Sequence, residues 1–227
     1  MIDINTDDKG LDKFKLLRSN HFCIRPFVHA CVWTDKRVVP CCINHSLVLG
    51  HTDQQKMSEI FSKDNEKLQE FRKQLLLGPD LPASCNRCSD LEKNIGAISY
   101  RMHSNRQYGR LLYNLDFDEN YELKEEKISL WDVRFSNLCN LKCRTCDPIN
   151  SSKIAEETKK TNPNIVTLRE PFEDKSEFLE FFNNHLDHIE EIYFCGGEPL
   201  LLEDHYQLLD ILLKNNKLDL KLRYNSN

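Results

Sequence analysis

The stretch that decides the fold is residues 128–146, ISLWDVRFSNLCNLKCRTC. Its first part, 128–135, is rich in apolar and β-branched side chains and predicts a buried strand. Its second part places Cys139, Cys143 and Cys146 in one loop directly after that strand, with the spacing C-x3-C-x2-C. A tight cysteine triplet at the end of a strand indicates a metal site held by the edge of a sheet.

The residues that follow alternate between helix and strand. Their patterns predict helices at 151–160, 175–185 and 204–215, and strands at 189–195 and 218–224. This β-α-β-α-β order is typical of a parallel sheet with helices on its outside. The strand at 189–195 runs into Gly196, Gly197, Glu198 and Pro199. Functional groups gather where parallel strands end, so we expect this turn to lie beside the cysteine loop.

The N-terminal half is a second cysteine-rich region. The patterns predict a short strand-like stretch at 30–39, helices at 58–77 and 90–113, and an acidic linker or domain edge at 114–126. We therefore predict two domains, 1–125 and 126–227. The cysteines of the first domain are Cys23, Cys31, Cys41, Cys42, Cys85 and Cys88.

Composition excludes several classes of protein. The chain has 227 residues, of which 40% are hydrophobic and 30% charged, which is enough apolar material for a core. A net charge of -5 gives no basic excess for nucleic acid. No stretch predicts a membrane span, and residues 1–20 lack the apolar core of a signal peptide. We expect a cytoplasmic protein whose ten cysteines stay reduced and bind metal rather than form disulfides.

The triplet suits one particular kind of metal chemistry. Three thiolates in one loop can hold three irons of a 4Fe-4S cluster, which leaves the fourth iron without a protein ligand. An open coordination position is the mark of a catalytic site, because a small molecule can bind there. The alternative is a zinc site that takes its fourth ligand from elsewhere in the chain.

Both motifs together resemble the radical S-adenosylmethionine (SAM) enzymes. Residues 135–146, FSNLCNLKCRTC, are similar to the cluster loop of that family, and 194–200, FCGGEPL, are similar to its Gly-Gly-Glu-Pro motif. The resemblance implies that Cys139, Cys143 and Cys146 hold a 4Fe-4S cluster whose open iron SAM chelates. It also implies that Gly196, Gly197 and Glu198 meet the methionine amino group of SAM. The reduced cluster then cleaves SAM to a 5'-deoxyadenosyl radical, which abstracts hydrogen from the substrate.

The N-terminal half resembles the twitch or SPASM type of auxiliary-cluster module. The resemblance rests on 22–27, FCIRPF, on 38–42, VVPCC, and on the C-x2-C pair that follows. It departs from the family pattern at Lys36, where glycine is usual. It implies that one auxiliary 4Fe-4S cluster is held by Cys23, Cys41, Cys85 and Cys88. Two alternatives stay open here, namely Cys42 in place of Cys41 and a four-cysteine zinc site.

The resemblance sets the expected fold class and function. We expect an α/β chain with a small cysteine-rich α+β domain, followed by about the first three strands of a (β/α) barrel. We expect the chain to be truncated within the barrel or one piece of a split enzyme. Its expected partners are SAM, an electron donor such as flavodoxin or ferredoxin, and a substrate. The candidate substrate is a peptide or protein. The competing hypotheses are an iron-sulfur electron carrier or scaffold and a zinc-binding interaction module.

Several other side chains are interpreted as structural. Cys31 and Cys195 are expected to pack as small buried groups. His29 is expected to have a packing or surface role, and His185 to face solvent. Arg223 alternates with leucines in the last strand, so it points either into the barrel or into solvent.

Overall fold

The computed structural model describes residues 11–226, which form one mixed sheet with helices packed against it. The strand order is β3-β2-β1-β4-β5-β6. The strands are β1 (His29–Val32), β2 (Arg37–Val39), β3 (Gly50–His51), β4 (Leu130–Val133), β5 (Glu191–Phe194) and β6 (Lys221–Tyr224). The neighbours β1-β4, β4-β5 and β5-β6 are parallel, whereas β1-β2 and β2-β3 are antiparallel. The chain is therefore of the α/β class.

Nine α-helices surround the sheet within the described residues. They are α1 (Lys13–Arg18), α2 (Arg25–Val28), α3 (Met57–Ile60), α4 (Glu66–Leu77), α5 (Asn86–Asp90), α6 (Tyr100–Tyr108), α7 (Ser152–Thr158), α8 (Lys175–Asn184) and α9 (Glu203–Lys214). The β-α-β-α-β order predicted for the C-terminal half is confirmed by β4 to β6 and α7 to α9. None of the helices in residues 11–226 is long and apolar enough to cross a membrane.

In the N-terminal half, the predicted elements are broken into shorter ones. The predicted strand at 30–39 is a hairpin of β1 and β2, whose turn puts Lys36 in the left-handed region at φ 73°. The predicted helix at 58–77 is two helices, because the Asn65 side chain caps the start of α4 by accepting from the Leu68 N–H (3.4 Å). In the turn between β1 and β2, Lys36 therefore adopts a left-handed backbone conformation that glycine reaches more easily.

The predicted helix at 90–113 is also interrupted. Gly96 lies at φ 66°, which ends a short π-helical turn, Leu91–Ile95. The Ser99 Oγ then accepts from the Met102 N–H (3.1 Å) and starts α6 as an N-cap. The prediction of one uninterrupted helix at 90–113 is therefore wrong, because the left-handed Gly96 turns the chain between two helical pieces.

The acidic segment 114–126 is folded onto the rest of the chain. Phe117 and Leu123 form an isolated β-bridge, and both side chains are buried. Parallel pairing of His29 with Leu130 joins the sheet across the predicted domain boundary. The division at residue 125 stays a prediction, while the strands on its two sides belong to one sheet.

The two faces of the sheet differ sharply in chemistry. Trp131 of β4 faces the helices and packs against Phe182 of α8 with ring centroids 4.9 Å apart. Alternation along the strand turns Asp132 to the opposite face, where Glu191 and Tyr193 of β5 accompany it. We call this opposite side the polar face. The acidic and phenolic side chains of the polar face can bind a ligand through hydrogen bonds or charge.

One histidine lies elsewhere than expected. His185 is only 7% exposed, and its ring packs edge-on against Phe181 at 4.7 Å between centroids. Burial lowers the pKa of His185 to about 4. The expectation that His185 faces solvent is wrong, because the end of α8 folds this side chain under the sheet.

Candidate functional site

Cys139, Cys143 and Cys146 lie together where β4 ends. All three line one open cavity of about 310 Å³. Cys139 is buried, whereas Cys143 and Cys146 are partly exposed. Burial raises the pKa of Cys146 above its ordinary value. The structure thus brings the predicted triplet to one cavity that a small molecule can enter.

Hydrogen bonds shape the triplet loop without any metal. The Cys139 N–H donates to Ser152 Oγ (3.0 Å), and the Leu141 N–H donates to Cys139 Sγ (3.4 Å). Asp147 Oδ1 accepts from the Asn150 N–H (2.9 Å) and closes the next turn. These bonds hold Cys139 and the turn after it in place within the loop.

The glycine turn after β5 is fastened to this loop, as expected from the sequence. The Gly197 N–H donates to the Asn150 carbonyl oxygen (2.7 Å), and the Glu198 N–H donates to the Leu138 carbonyl oxygen (2.8 Å). Gly197 lies at φ 58°, and a Cβ on it would stand 2.2 Å from the Leu138 oxygen. A glycine is required here because the two loops touch through their backbones.

The three residues predicted to meet SAM separate into two groups. Gly196 and Gly197 line the cavity beside the cysteines. Glu198 is buried, and its Oε1 accepts from the Leu200 N–H (3.2 Å) and from Ser226 Oγ (2.9 Å). The structure therefore places the glycine backbone at the cavity and the Glu198 carboxylate in the turn behind it. Contact of these residues with SAM stays a prediction.

The four cysteines predicted for the auxiliary cluster also come together. Cys23, Cys41, Cys85 and Cys88 line a single apolar cavity of only about 20 Å³. They arrive from three separate segments, which precede α2, follow β2 and surround the start of α5. The four-cysteine cavity is small and apolar, whereas the triplet cavity is large and polar.

Burial makes these thiols hard to ionise in the absence of a metal. It raises the pKa of Cys23 to about 11 and that of Cys85 to about 12. Burial likewise raises the pKa of Cys41. Buried thiolates need a cation to compensate the loss of water, so a metal centre suits this set.

Cys42 points away from the four-cysteine cavity. Its thiol donates to the Tyr100 hydroxyl oxygen (3.3 Å), and it packs beside Cys31 and Trp33. Between the two adjacent cysteines, Cys41 is the one that lines the cavity with Cys23.

The spacing of the sulfur atoms bears on which metal fits. Tetrahedral zinc with bonds of about 2.3 Å holds its thiolates about 3.8 Å apart. Among residues 11–226, no three cysteine sulfurs lie within 4.8 Å of one another. A cluster puts a separate iron behind each thiolate and so needs the wider spacing. The triplet cavity, at about 310 Å³, has room for a cluster, whereas the four-cysteine cavity, at about 20 Å³, has room for a water-sized group.

A third group of side chains has the residue types of a metal site, but its carboxylate already has partners within the protein. His29, Cys31 and Asp132 offer ligand atoms within 4.8 Å of one another, and all three are buried. Asp132, however, pairs with the Arg134 guanidinium at 2.7 Å and accepts from the Cys195 thiol at 2.8 Å. The arginine takes the place that a metal cation would occupy. Cys31 and Cys195 are buried as expected.

Sequence reasoning missed most of the polar face. Arg25, Asp132 and Tyr193 line a cavity there that no motif marks. The sequence did hold one indication of this cavity, namely Asp132 within the otherwise apolar strand β4. Arg223 also reaches this face, since its Nη1 lies 3.1 Å from Glu191 Oε1, although its side chain remains 45% exposed.

Comparison with known proteins supports the N-terminal assignment. Residues 23–89 match the family model of SPASM, an iron-sulfur cluster-binding domain. Neither the curated proteins nor the solved structures gave a match. The matched segment begins at Cys23 and includes Cys41, Cys85 and Cys88. This chain therefore contains a SPASM iron-sulfur cluster-binding region, of the type that occurs in radical SAM proteins with auxiliary clusters.

Proposed function

We propose that the chain is a radical SAM iron-sulfur protein with two 4Fe-4S clusters. The observation that carries the proposal is the open triplet cavity, which places three cysteines beside the backbone of Gly196 and Gly197. The SPASM match supports it, because such regions are typical of radical SAM proteins.

The triplet site has the parts that this chemistry requires. Cys139, Cys143 and Cys146 would hold a cluster by three of its irons and leave the fourth open to the cavity. When bound, such a cluster would supply the one electron that reductive cleavage of SAM requires. The buried part of the loop holds Cys139 in place, and the glycine turn forms the facing wall. A SAM amino group would find backbone atoms there.

The auxiliary site would hold the second cluster. Cys23, Cys41, Cys85 and Cys88 supply four thiolates, so every iron has a protein ligand and the site is closed. We further propose a cytoplasmic location, where thiols stay reduced, and a small electron donor such as flavodoxin or ferredoxin as the partner.

Two other functions compete with this proposal. A zinc-binding interaction module is disfavoured by the match at residues 23–89, because the matched family model describes an iron-sulfur cluster-binding domain. An iron-sulfur carrier or scaffold needs no open cavity at the triplet, yet one of about 310 Å³ is present. The open cavity favours an enzyme over both.

The test is anaerobic reconstitution of the chain with iron and sulfide. We expect about eight irons per chain and an EPR spectrum of the reduced protein that changes when SAM is added. Alanine at Cys139, Cys143 and Cys146 together should remove about half of the iron and the whole SAM response. Alanine at Cys31, a buried cysteine outside both sets, is the matched control and should leave both unchanged.

The other outcomes separate the competing functions. Zinc without iron in anaerobically purified protein, together with no uptake of iron, would overturn the proposal in favour of a zinc module. A full complement of iron with a spectrum indifferent to SAM would overturn the SAM assignment and leave an electron carrier.

A further inference from the structure

Four arginines are buried within residues 11–226, and one of them differs from the rest. Arg72 forms two bonds to Glu126 (2.5 and 2.7 Å), and Arg101 is held in the same way by Glu92. Arg134 pairs with Asp132 at 2.7 Å. In the described part of the chain, no carboxylate pairs with the fourth, Arg25, which is only 6% exposed. A buried cation without an anion is costly, so its persistence calls for a partner.

The surroundings of Arg25 hold it in a fixed orientation. Its Nε donates to Ser104 Oγ (2.9 Å). Its guanidinium carbon lies over the ring of Tyr100 at 4.6 Å and over that of Tyr108 at 5.4 Å. These contacts offset part of the cost of burying the charge but accept only one of its five N–H groups. The terminal nitrogens have no hydrogen-bond partner among the described residues.

A cavity of about 250 Å³ opens beside this guanidinium on the polar face. Both acids that line it already have cations of their own. Asp132 has Arg134, and the Glu191 carboxylate accepts from the Tyr108 hydroxyl (2.6 Å) and lies 3.1 Å from Arg223. His29 is neutral here, because burial lowers its pKa to about 3. Arg25 is therefore the surplus positive charge of the cavity.

The Arg25 side chain lies outside the four-cysteine cavity. The side chains that line the four-cysteine cavity include Cys23 and Pro26 on either side of Arg25 but not Arg25 itself. The Cys42 thiol, on the wall of the polar-face cavity, donates to the Tyr100 hydroxyl oxygen (3.3 Å). Arg25 lines that cavity on the polar face.

We propose that Arg25 is the anchor of a binding site for the carboxylate of a small organic molecule or peptide. A guanidinium matches a carboxylate with two parallel hydrogen bonds, and one surplus cation matches one negative charge. A phosphate dianion has the same oxygen chemistry, but Asp132 and Glu191 on the same wall repel its second charge. The cavity has room for a ligand the size of an amino acid, at about 30 Å³ per displaced water.

The position of the site connects it with the proposed function. Its cavity shares Tyr100 with the four-cysteine cavity and Tyr193 with the triplet cavity. A ligand held at Arg25 therefore lies between the two metal sites, where a substrate would be expected. Only the role of this ligand as substrate rests on the proposed function. The carboxylate site itself depends on side chains of the chain and needs neither SAM nor turnover.

The experiment is a ligand-observed NMR titration of the full chain without SAM, with three probes. N-acetylglycine should bind saturably, and N-acetylglycinamide, its neutral analogue of the same size, should bind at least about tenfold more weakly. Inorganic phosphate should bind more weakly than N-acetylglycine. Equal binding of the acid and the amide, or no saturable binding of the acid, overturns the carboxylate site. Tighter binding of phosphate overturns the assignment to carboxylates.

Variants then locate the site. Arg25→Gln should raise the dissociation constant for N-acetylglycine at least about tenfold, whereas Arg110→Gln should leave it unchanged. Arg110 is the matched control because it is an exposed arginine paired with Glu190. Ser104→Ala keeps the charge of Arg25 but frees its Nε, so a rise of about threefold is expected even if Arg25→Gln does not fold. Unchanged affinity in folded Arg25→Gln or in Ser104→Ala would place the binding elsewhere. Failure of SAM chemistry would leave all these results intact.

Discussion

The two cysteine sites are built in opposite ways. The four-cysteine cavity is apolar, has about 20 Å³ of free space and collects its ligands from three separate segments. The triplet cavity is polar, has about 310 Å³ and takes its three cysteines from one loop. Four thiolates can give each iron of a cluster a protein ligand, whereas three leave one iron free to bind a small molecule. In the proposed function, the four-cysteine site would therefore hold a structural cluster and the triplet site a reactive one.

The largest expected effect distinguishes two adjacent cysteines, of which one lines the four-cysteine cavity. Cys41→Ser leaves three thiolates for four irons and should lower the iron retained by the auxiliary site, a loss of at most about half of the total, whereas Cys42→Ser should leave the iron unchanged. The reason is that Cys41 lines the four-cysteine cavity and Cys42 bonds to Tyr100 instead. Iron analysis after anaerobic reconstitution measures this. Iron lost from Cys42→Ser but kept in Cys41→Ser would reverse the assignment.

The second prediction compares the sites by thermal stability. Cys88→Ala should lower the Tm of the reconstituted chain by about 10 °C or more, because metal binding across distant segments is folding free energy. Cys143→Ala should lower it by less than about 3 °C, since its loop is already closed by hydrogen bonds of its own. Differential scanning fluorimetry under anaerobic conditions provides the measurement. Equal losses would show that both clusters support the fold.

The third prediction concerns the contact between the triplet loop and the glycine turn. Gly197→Ala should cost about 3–5 kcal/mol of unfolding free energy, because φ 58° is strained for alanine and the Cβ would meet the Leu138 oxygen at 2.2 Å. Gly96→Ala is the matched control. Its φ is 66° but nothing lies within 4 Å, so only the backbone strain of about 1 kcal/mol applies. Urea unfolding of both variants checks this, and equal costs would remove the close contact from the explanation.

The smallest effect is one of thiol reactivity in the metal-free chain. At pH 8, iodoacetamide should modify the partly exposed Cys143 at least about tenfold faster than Cys23. Burial raises the pKa of Cys23 to about 11, so less thiolate is present below that pH and its rate should climb about tenfold per pH unit up to it. Mass spectrometry of the alkylated peptides over pH 7–10 follows both sites, with buried Cys31 as the slow reference. A Cys23 rate that is level across this range would contradict the raised pKa.

Sequence reasoning reached the triplet site because its information is local. Cys139, Cys143 and Cys146 lie within eight consecutive residues, and their neighbour turn follows the adjacent parallel strand. It reached the auxiliary set only through a family resemblance, which the match at 23–89 supports. The broken helix at 58–77 escaped it, since the apolar periodicity continues across the cap at Asn65.

By itself, the sequence determined the α/β order of the C-terminal half, the cysteine loop at a strand end and the need for glycines beside it. Alternation of apolar residues and short spacings fix these features within a few turns of chain. Only the tertiary structure decided that β1 joins β4 in one sheet, that Cys41 rather than Cys42 lines the cavity, and that no carboxylate within residues 11–226 pairs with Arg25. Each of these depends on which distant segments come together in space, and neither local spacing nor apolar periodicity encodes that.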